Sequence, residues 1–159
     1  MFRVLFVCTG NICRSPTAEG IFKNLLSKRG LTHRIEADSA GTSSWHAGDP
    51  PDPRSTETAL ARGVDIRDQR ARTLRPNDFK DFDLLLAMDT GHYTTMNRAC
   101  PPELQSRIEI LMKYAPVSGL SDVPDPYYGS GDGFGRVYEM IEIASKGLLD
   151  EIESRHLGG

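Results

Sequence analysis

Short apolar runs alternate with amphipathic helical stretches along this chain, and that alternation leaves few folds open. Phe2 to Val7 reads as a first strand, and Val4-Leu5-Phe6-Val7 is apolar throughout, as a strand covered on both faces requires. Ser15 to about Arg29 carries Ala18, Ile21, Phe22, Leu25 and Leu26 on one helical stripe, and Gly30 stops it. Ile35 to Ala40 is a second strand, Pro53 to Arg62 a helix ending at Gly63, and Arg75 to Phe79 a short helix. Phe82 to Met88 is a third strand, followed by a helix that Asp89 or Thr90 caps and Pro101-Pro102 ends. Ile108 to Met112 is a fourth strand. The last helix runs from about Phe134 to Arg155 on a stripe of Phe134, Val137, Ile141, Ala144, Leu148 and Ile152. Strand-helix alternation of this kind predicts an α/β fold: a parallel sheet flanked by helices on both faces. With 159 residues and no linker or repeat, one domain over 1–159 is expected.

Ligands of such sheets bind beyond the carboxyl ends of the strands. Cys8, Gly41 and Asp89 fall at three such ends, and the long loops after Gly41 and Ala115 would frame the same cleft. Cys8-Thr9-Gly10-Asn11-Ile12-Cys13-Arg14-Ser15 joins the first strand to the first helix, with Ser15 read as N-cap and Pro16 at the first helical position. A helix N-terminus presents unpaired N–H groups and partial positive charge, so it binds anions. The N–H groups of Thr9, Gly10, Asn11, Ile12, Cys13 and Arg14 would form a nest around one, and the Arg14 side chain offers a planar fork for two of its oxygens. A cysteine beneath a bound oxyanion, its thiol acidified by that setting, is laid out to attack a phosphate ester, and Ser15 could donate to the departing thiolate. The bland reading is a buried cysteine ending a core strand. No Gly-Lys-Ser/Thr follows, which excludes a Walker A loop, and Gly10 stands alone, which excludes the dinucleotide fingerprint.

The net charge of −3 and a pI near 5.8 give no whole-molecule attraction to nucleic acid or to anionic membrane. Three cysteines leave one unpaired and make no secreted disulfide framework, so a reducing, cytoplasmic setting is expected. The apolar stretch before Cys8 is too short for a signal peptide, and no run approaches the roughly 18 residues of a membrane span. His33, His46, His92 and His156 are scattered, and Cys8 and Cys13 lack a second clustered pair, so neither metal nor cofactor is expected.

The segment Val7 to Pro16 closely resembles the signature of the low-molecular-weight protein tyrosine phosphatases. The resemblance continues through Asp38-Ser39-Ala40-Gly41-Thr42, Trp45, Asp52-Pro53-Arg54, Ala87-Met88-Asp89 and Asp125-Pro126-Tyr127-Tyr128. It implies a four-stranded sheet of order 2-1-3-4, and a cysteinyl-phosphate intermediate formed by Cys8 and stabilised by Arg14. It also implies that Asp125 protonates the leaving oxygen and later activates water. Spacing does not single out that residue: Asp52, Asp89, Asp122 and Asp132 are equal candidates before the resemblance is used. By resemblance, Asn11 holds the loop's shape with Ser15 and Ser39. Trp45 and Tyr127 line the cleft and Tyr128 stands beside them, where rings would select an aryl phosphate; a hydrophobic plug is the plainer reading of each ring. Substrates would be tyrosine-phosphorylated proteins, inorganic phosphate would be product and inhibitor, and a monomer with at most weak self-association is expected.

Cys13 lies in the same tight loop as Cys8, so a reversible disulfide between them would make a redox trap; the alternative is a small side chain packed under the loop. Cys100 reads as a helix-end residue, His46 as a surface loop histidine with contact to substrate as the alternative, and Arg67, Arg70, Arg72 and Arg75 as a solvated face with reception of an acidic phosphoprotein as the alternative. Many family members carry histidine where this chain has Gln69, which could support Asn11 without titrating. Two rivals share these features. An arsenate reductase needs relay cysteines, and Cys100 stands alone; a phosphate-binding module could discard Cys8 or Asp125, and both are present.

Overall fold

The computed structural model describes residues 1–126 and 132–157. Four strands, β1 (Phe2–Cys8), β2 (Ile35–Gly41), β3 (Leu84–Ala87) and β4 (Ile108–Ile110), form one sheet of order β2-β1-β3-β4. Every pairing is parallel, and the register sets Cys8 beside Gly41 and Val7 beside Ala87. The anticipated order and orientation are therefore met. The helices are α1 (Arg14–Lys28), α2 (Pro53–Ala61), α3 (Asp78–Asp81), α4 (Thr90–Ala99) and α5 (Gly133–His156).

Strand periodicity divides the core between the two faces. Val4, Phe6 and Cys8 of β1, with Leu84 and Leu86 of β3, join the stripes of α1 and α5 in one buried cluster. Leu5, Val7, Leu85 and Ala87 point the other way, against Phe79, Phe82, Met96 and Cys100. Both faces are covered, which is why β1 and β3 carry no polar residue before Cys8 and Met88 except near their ends.

Local chemistry moved several boundaries. α1 starts at Arg14, with Cys13 as N-cap and no side-chain cap bond, so Ser15 is inside the first turn rather than capping it. Pro16 then sits at the third helical position, where its missing N–H still costs no helical bond. Asp89 does cap α4, accepting the N–H of His92 at 2.8 Å. β4 is cut to three residues because Leu111–Tyr114 turns into a 3₁₀ segment. Phe134 is only half-buried; the Arg54 guanidinium lies 4.6 Å from its ring centre, so the buried stripe of α5 begins at Gly135 and Val137.

Candidate active site

The loop of residues 9–13 leaves the end of β1, and its sharpest bend is at Asn11, the one described non-glycine residue with positive φ (58°). Asparagine tolerates that conformation best among the residues with a side chain, and here its amide is buried and fully employed. Its Nδ2 donates to Ser15 Oγ at 2.8 Å and Ser39 Oγ at 3.0 Å, and its Oδ1 accepts the Arg72 N–H at 2.9 Å. Ser39 in turn donates to Glu19 Oε1 at 2.6 Å, and Lys23 holds the other oxygen of that buried carboxylate at 2.6 Å. Because Asn11 donates to Ser15, the Ser15 hydrogen is free to point at Cys8 Sγ, 2.9 Å away. A relay of oriented dipoles thus runs from Lys23 to the sulfur, and Ser15 left its capping position to end it.

Gly41 closes the loop from the side. A Cβ there would lie 2.6 Å from Thr9 O and 3.1 Å from Gly10 C, both main-chain atoms that cannot swing away. Gly41→Ala is expected to lower stability by about 1–3 kcal/mol and to cut aryl-phosphate turnover at least ~10-fold, read by thermal unfolding and steady-state kinetics. Unchanged turnover would show that the loop tolerates displacement.

Arg14 is buried, and its Nη1 donates to Asp89 Oδ2 at 3.0 Å and to the Val123 carbonyl at 2.9 Å. Its Nη2 lies 3.8 Å from Asp125 Oδ2, so the guanidinium joins the end of β3 to the loop before α5. Burial acts to raise the Asp89 carboxyl, but the His92 N–H, the His92 ring and Arg14 outweigh it and hold the carboxyl below its ordinary value. Asp89 therefore stays ionised as the counter-charge that fixes Arg14.

Cys8, Thr9, Gly10, Ile12, Cys13 and Arg14 floor a cavity of about 470 Å³, and Ser43, Trp45, His46 and Asp125 rim it. Trp45 is 85% exposed, far from the plug that was one reading of it. Tyr127 and Tyr128 lie outside the described residues. The family model for low molecular weight phosphotyrosine protein phosphatase matches residues 3–156. This chain belongs to that family. It is 46% identical to the low molecular weight protein-tyrosine-phosphatase of Streptomyces coelicolor, over 97% of this chain and 98% of that one. The crystal structure of YfkJ from Bacillus subtilis superposes with a TM-score of 0.94 at 40% identity, over 98% and 97% of the two chains. A protein tyrosine phosphatase of Entamoeba histolytica superposes with a TM-score of 0.93 at 37% identity, over 97% and 98%.

Several residues of this phosphatase stand elsewhere than expected. Gln69 does not reach Asn11; its Nε2 donates to the Pro16 carbonyl at 3.0 Å, bracing the start of α1. Arg72 is no solvated side chain but pairs with Asp38 and Asp78, both at 3.0 Å, and its N–H takes the Asn11 contact. His46 lines the cavity and pairs with Asp49 at 3.2 Å. Glu19, Asp89, Arg72 and His92 support the site, yet nothing in their local sequence marks them except the N-cap position of Asp89. Cys100 is the buried C-cap of α4. Among the described residues no cluster of three or more His, Cys, Asp or Glu could hold a metal, and no helix is long and apolar enough to cross a membrane.

Proposed function

We propose that Cys8 attacks the phosphorus of a phosphotyrosyl side chain, that Arg14 and the loop amides hold the transferring group, and that Asp125 serves as acid and then base. The observation that carries this assignment is that the Cys8 sulfur, the Arg14 guanidinium and the Asp125 carboxyl share one cavity at the start of α1. Asp89 and Val123 occupy Nη1, which leaves Nε and Nη2 as the edge for a bidentate grip on phosphate. The positive end of α1 and the N–H groups of residues 9–13 supply the rest, and the Ser15 hydroxyl eases the sulfur's departure in the second step. An exposed indole on the cavity rim suits a flat leaving group, which favours phosphotyrosine over alkyl phosphates. Inorganic phosphate is then product and competing ligand. We place the whole unit, 1–159, in the cytoplasm as a monomer acting on tyrosine-phosphorylated proteins. Rapid acid quench during turnover of a phosphotyrosyl peptide should find one phosphoryl group on the peptide containing Cys8. Steady turnover with that peptide never phosphorylated would remove the covalent route.

The redox reading follows from the same loop. Peroxide converts the Cys8 thiol to sulfenic acid with release of water; Cys13 then loses its proton and its thiolate attacks that sulfur, forming the disulfide and expelling hydroxide, which with that proton makes a second water. Burial, with Asp52 adding to it, pushes the Cys13 thiol up to about 12. Only its thiolate attacks, so disulfide closure should quicken about 10-fold per pH unit between pH 6 and 9. Mass spectrometry after a peroxide pulse measures this; closure that ignores pH would show that Cys13 does not resolve the oxidised sulfur.

A further inference from the structure

His92 is the buried titratable group next to the site that the mechanism leaves without a task. Its Nε2 lies 2.7 Å from the Thr9 hydroxyl, and Thr9 is the first residue after Cys8 and lines the cavity. Its Nδ1 lies 3.1 Å from Asp89 Oδ1, too far out of line for a hydrogen bond, and has no other partner among the described residues. That oxygen is the one that caps α4, while the second oxygen of Asp89 holds Arg14. The ring therefore stands between the hydroxyl at the lip of the phosphate loop and the carboxylate that fixes the arginine.

We propose that His92 is a positioning residue whose protonation state sets whether the Thr9 hydroxyl can donate to the anion in the loop. In the neutral ring the proton is favoured on Nδ1, facing the Asp89 carboxylate, which leaves Nε2 bare. The Thr9 hydroxyl then donates to Nε2 and turns its hydrogen away from the cavity. In the imidazolium both nitrogens carry hydrogen, Nε2 donates to Thr9 Oγ1, and the hydroxyl hydrogen is released. Thr9 is exposed and lines the cavity, so in the empty site that hydrogen turns to water and in the loaded site it turns to an oxygen of the anion held by the loop. Nothing else about the fold needs to move.

The groups that face the ring from all sides favour such a switch over a permanently charged histidine. Burial and the Arg14 guanidinium of α1 lower its affinity for a proton, while Asp89 at the head of its own helix and Asp122 and Asp125 on the loop raise it, with the net effect downward. In the empty site the ring is thus neutral at pH 7, and an arriving dianion, by adding negative charge and an acceptor for Thr9, favours the imidazolium. By linkage, protonation of His92 and anion affinity must help each other by the same factor.

The inference rests on residues 8–15 holding the phosphoryl group, and sulfate tests both levels, because it takes up no proton between pH 5 and 8. The Cε1 proton of His92, assigned by its loss in His92→Gln, is followed by NMR at constant ionic strength with and without saturating sulfate. The expected result is that sulfate raises the His92 midpoint by about one pH unit, equivalent to roughly 10-fold tighter sulfate binding below the midpoint than above it. His92→Gln should flatten that pH dependence to within about 3-fold. Thr9→Val should flatten it too while His92 still titrates, because simple charge attraction would survive the loss of the hydroxyl. A midpoint unmoved by sulfate that does shift the Gly10 to Arg14 amide signals would overturn the proposal, as would full coupling in Thr9→Val. Sulfate that leaves those amides unshifted would remove the anion loop itself and the proposal with it. Should His92→Gln not fold, the wild-type and Thr9→Val titrations decide alone.

Discussion

Cys8→Ser is expected to lower kcat on p-nitrophenyl phosphate by at least about 10⁴-fold, to the limit of detection, while leaving the fold and phosphate binding in place. The sulfur sits buried at the end of β1, beneath the N-terminus of α1, with Ser15 Oγ at 2.9 Å as its one side-chain hydrogen-bond partner among the described residues. That neighbour can donate a hydrogen but cannot strip one, since Asn11 already fixes its oxygen as acceptor. Sulfur is intrinsically the more acidic and more nucleophilic of the two atoms, and a serine hydroxyl in its place would need a base that the Ser15 hydroxyl cannot be. Oxygen for sulfur changes little in volume, so thermal unfolding should shift by under about 0.5 kcal/mol in stability, and inorganic phosphate should still protect the protein. More than about 1% of wild-type turnover in the variant would mean that another group carries the covalent step.

Asp125→Ala should separate substrates by their leaving groups. The carboxyl is 37% exposed, on the cavity rim, with Oδ2 3.8 Å from Arg14 Nη2. A general acid helps most where the departing oxygen is basic, and its removal there costs about 10²–10³-fold. Phenyl phosphate should therefore slow by that amount. A dinitrophenyl phosphate, whose phenolate leaves unaided, should slow by no more than about 10-fold in the first step. A plot of log kcat/KM against leaving-group pKa measures the difference: its slope steepens in the variant if Asp125 is the acid, and two parallel lines would release Asp125 from the role. The ion-pair geometry adds a second consequence, since the loss of negative charge beside Arg14 should tighten inorganic phosphate binding modestly.

Much of the scaffold could be read from the chain because each element carries its own local signal. Val4 to Val7 is apolar at every position, as a doubly covered strand must be, and α1 and α5 show unbroken stripes of buried residues. The strand order had no such local signal and came only through likeness to a family. What local reading missed has a physical pattern. Ser15 before Pro16 looks like a cap, yet the hydroxyl is drawn to Asn11 and the sulfur instead. Arg72, one of four arginines in a polar stretch, looks solvated until the fold brings Asp38 and Asp78 to it. Asp125 is indistinguishable from its rivals by spacing, because what sets it apart is a cavity built from three separate segments. Periodicity reports burial; it is silent about which polar side chains meet.

The groups that hold the loop of residues 9–13 also fix when that loop can take its shape. Asn11 is secured by Ser39, 28 residues on, and by Arg72, 61 residues on, while Arg14 is secured by Asp89 and by the carbonyl of Val123, 75 and 109 residues on. During synthesis the segment from Cys8 to Ser15 leaves the ribosome well before its anchors, and the last of them, Val123, follows Arg14 by 109 residues. Until then Cys8 and Cys13 lie on a stretch of chain whose helix end, arginine and hydroxyl are not yet aimed at them. The loop's geometry thus has no partial form along the growing chain: it is completed when Val123 docks on Arg14, and a product truncated before that point carries the signature without the geometry.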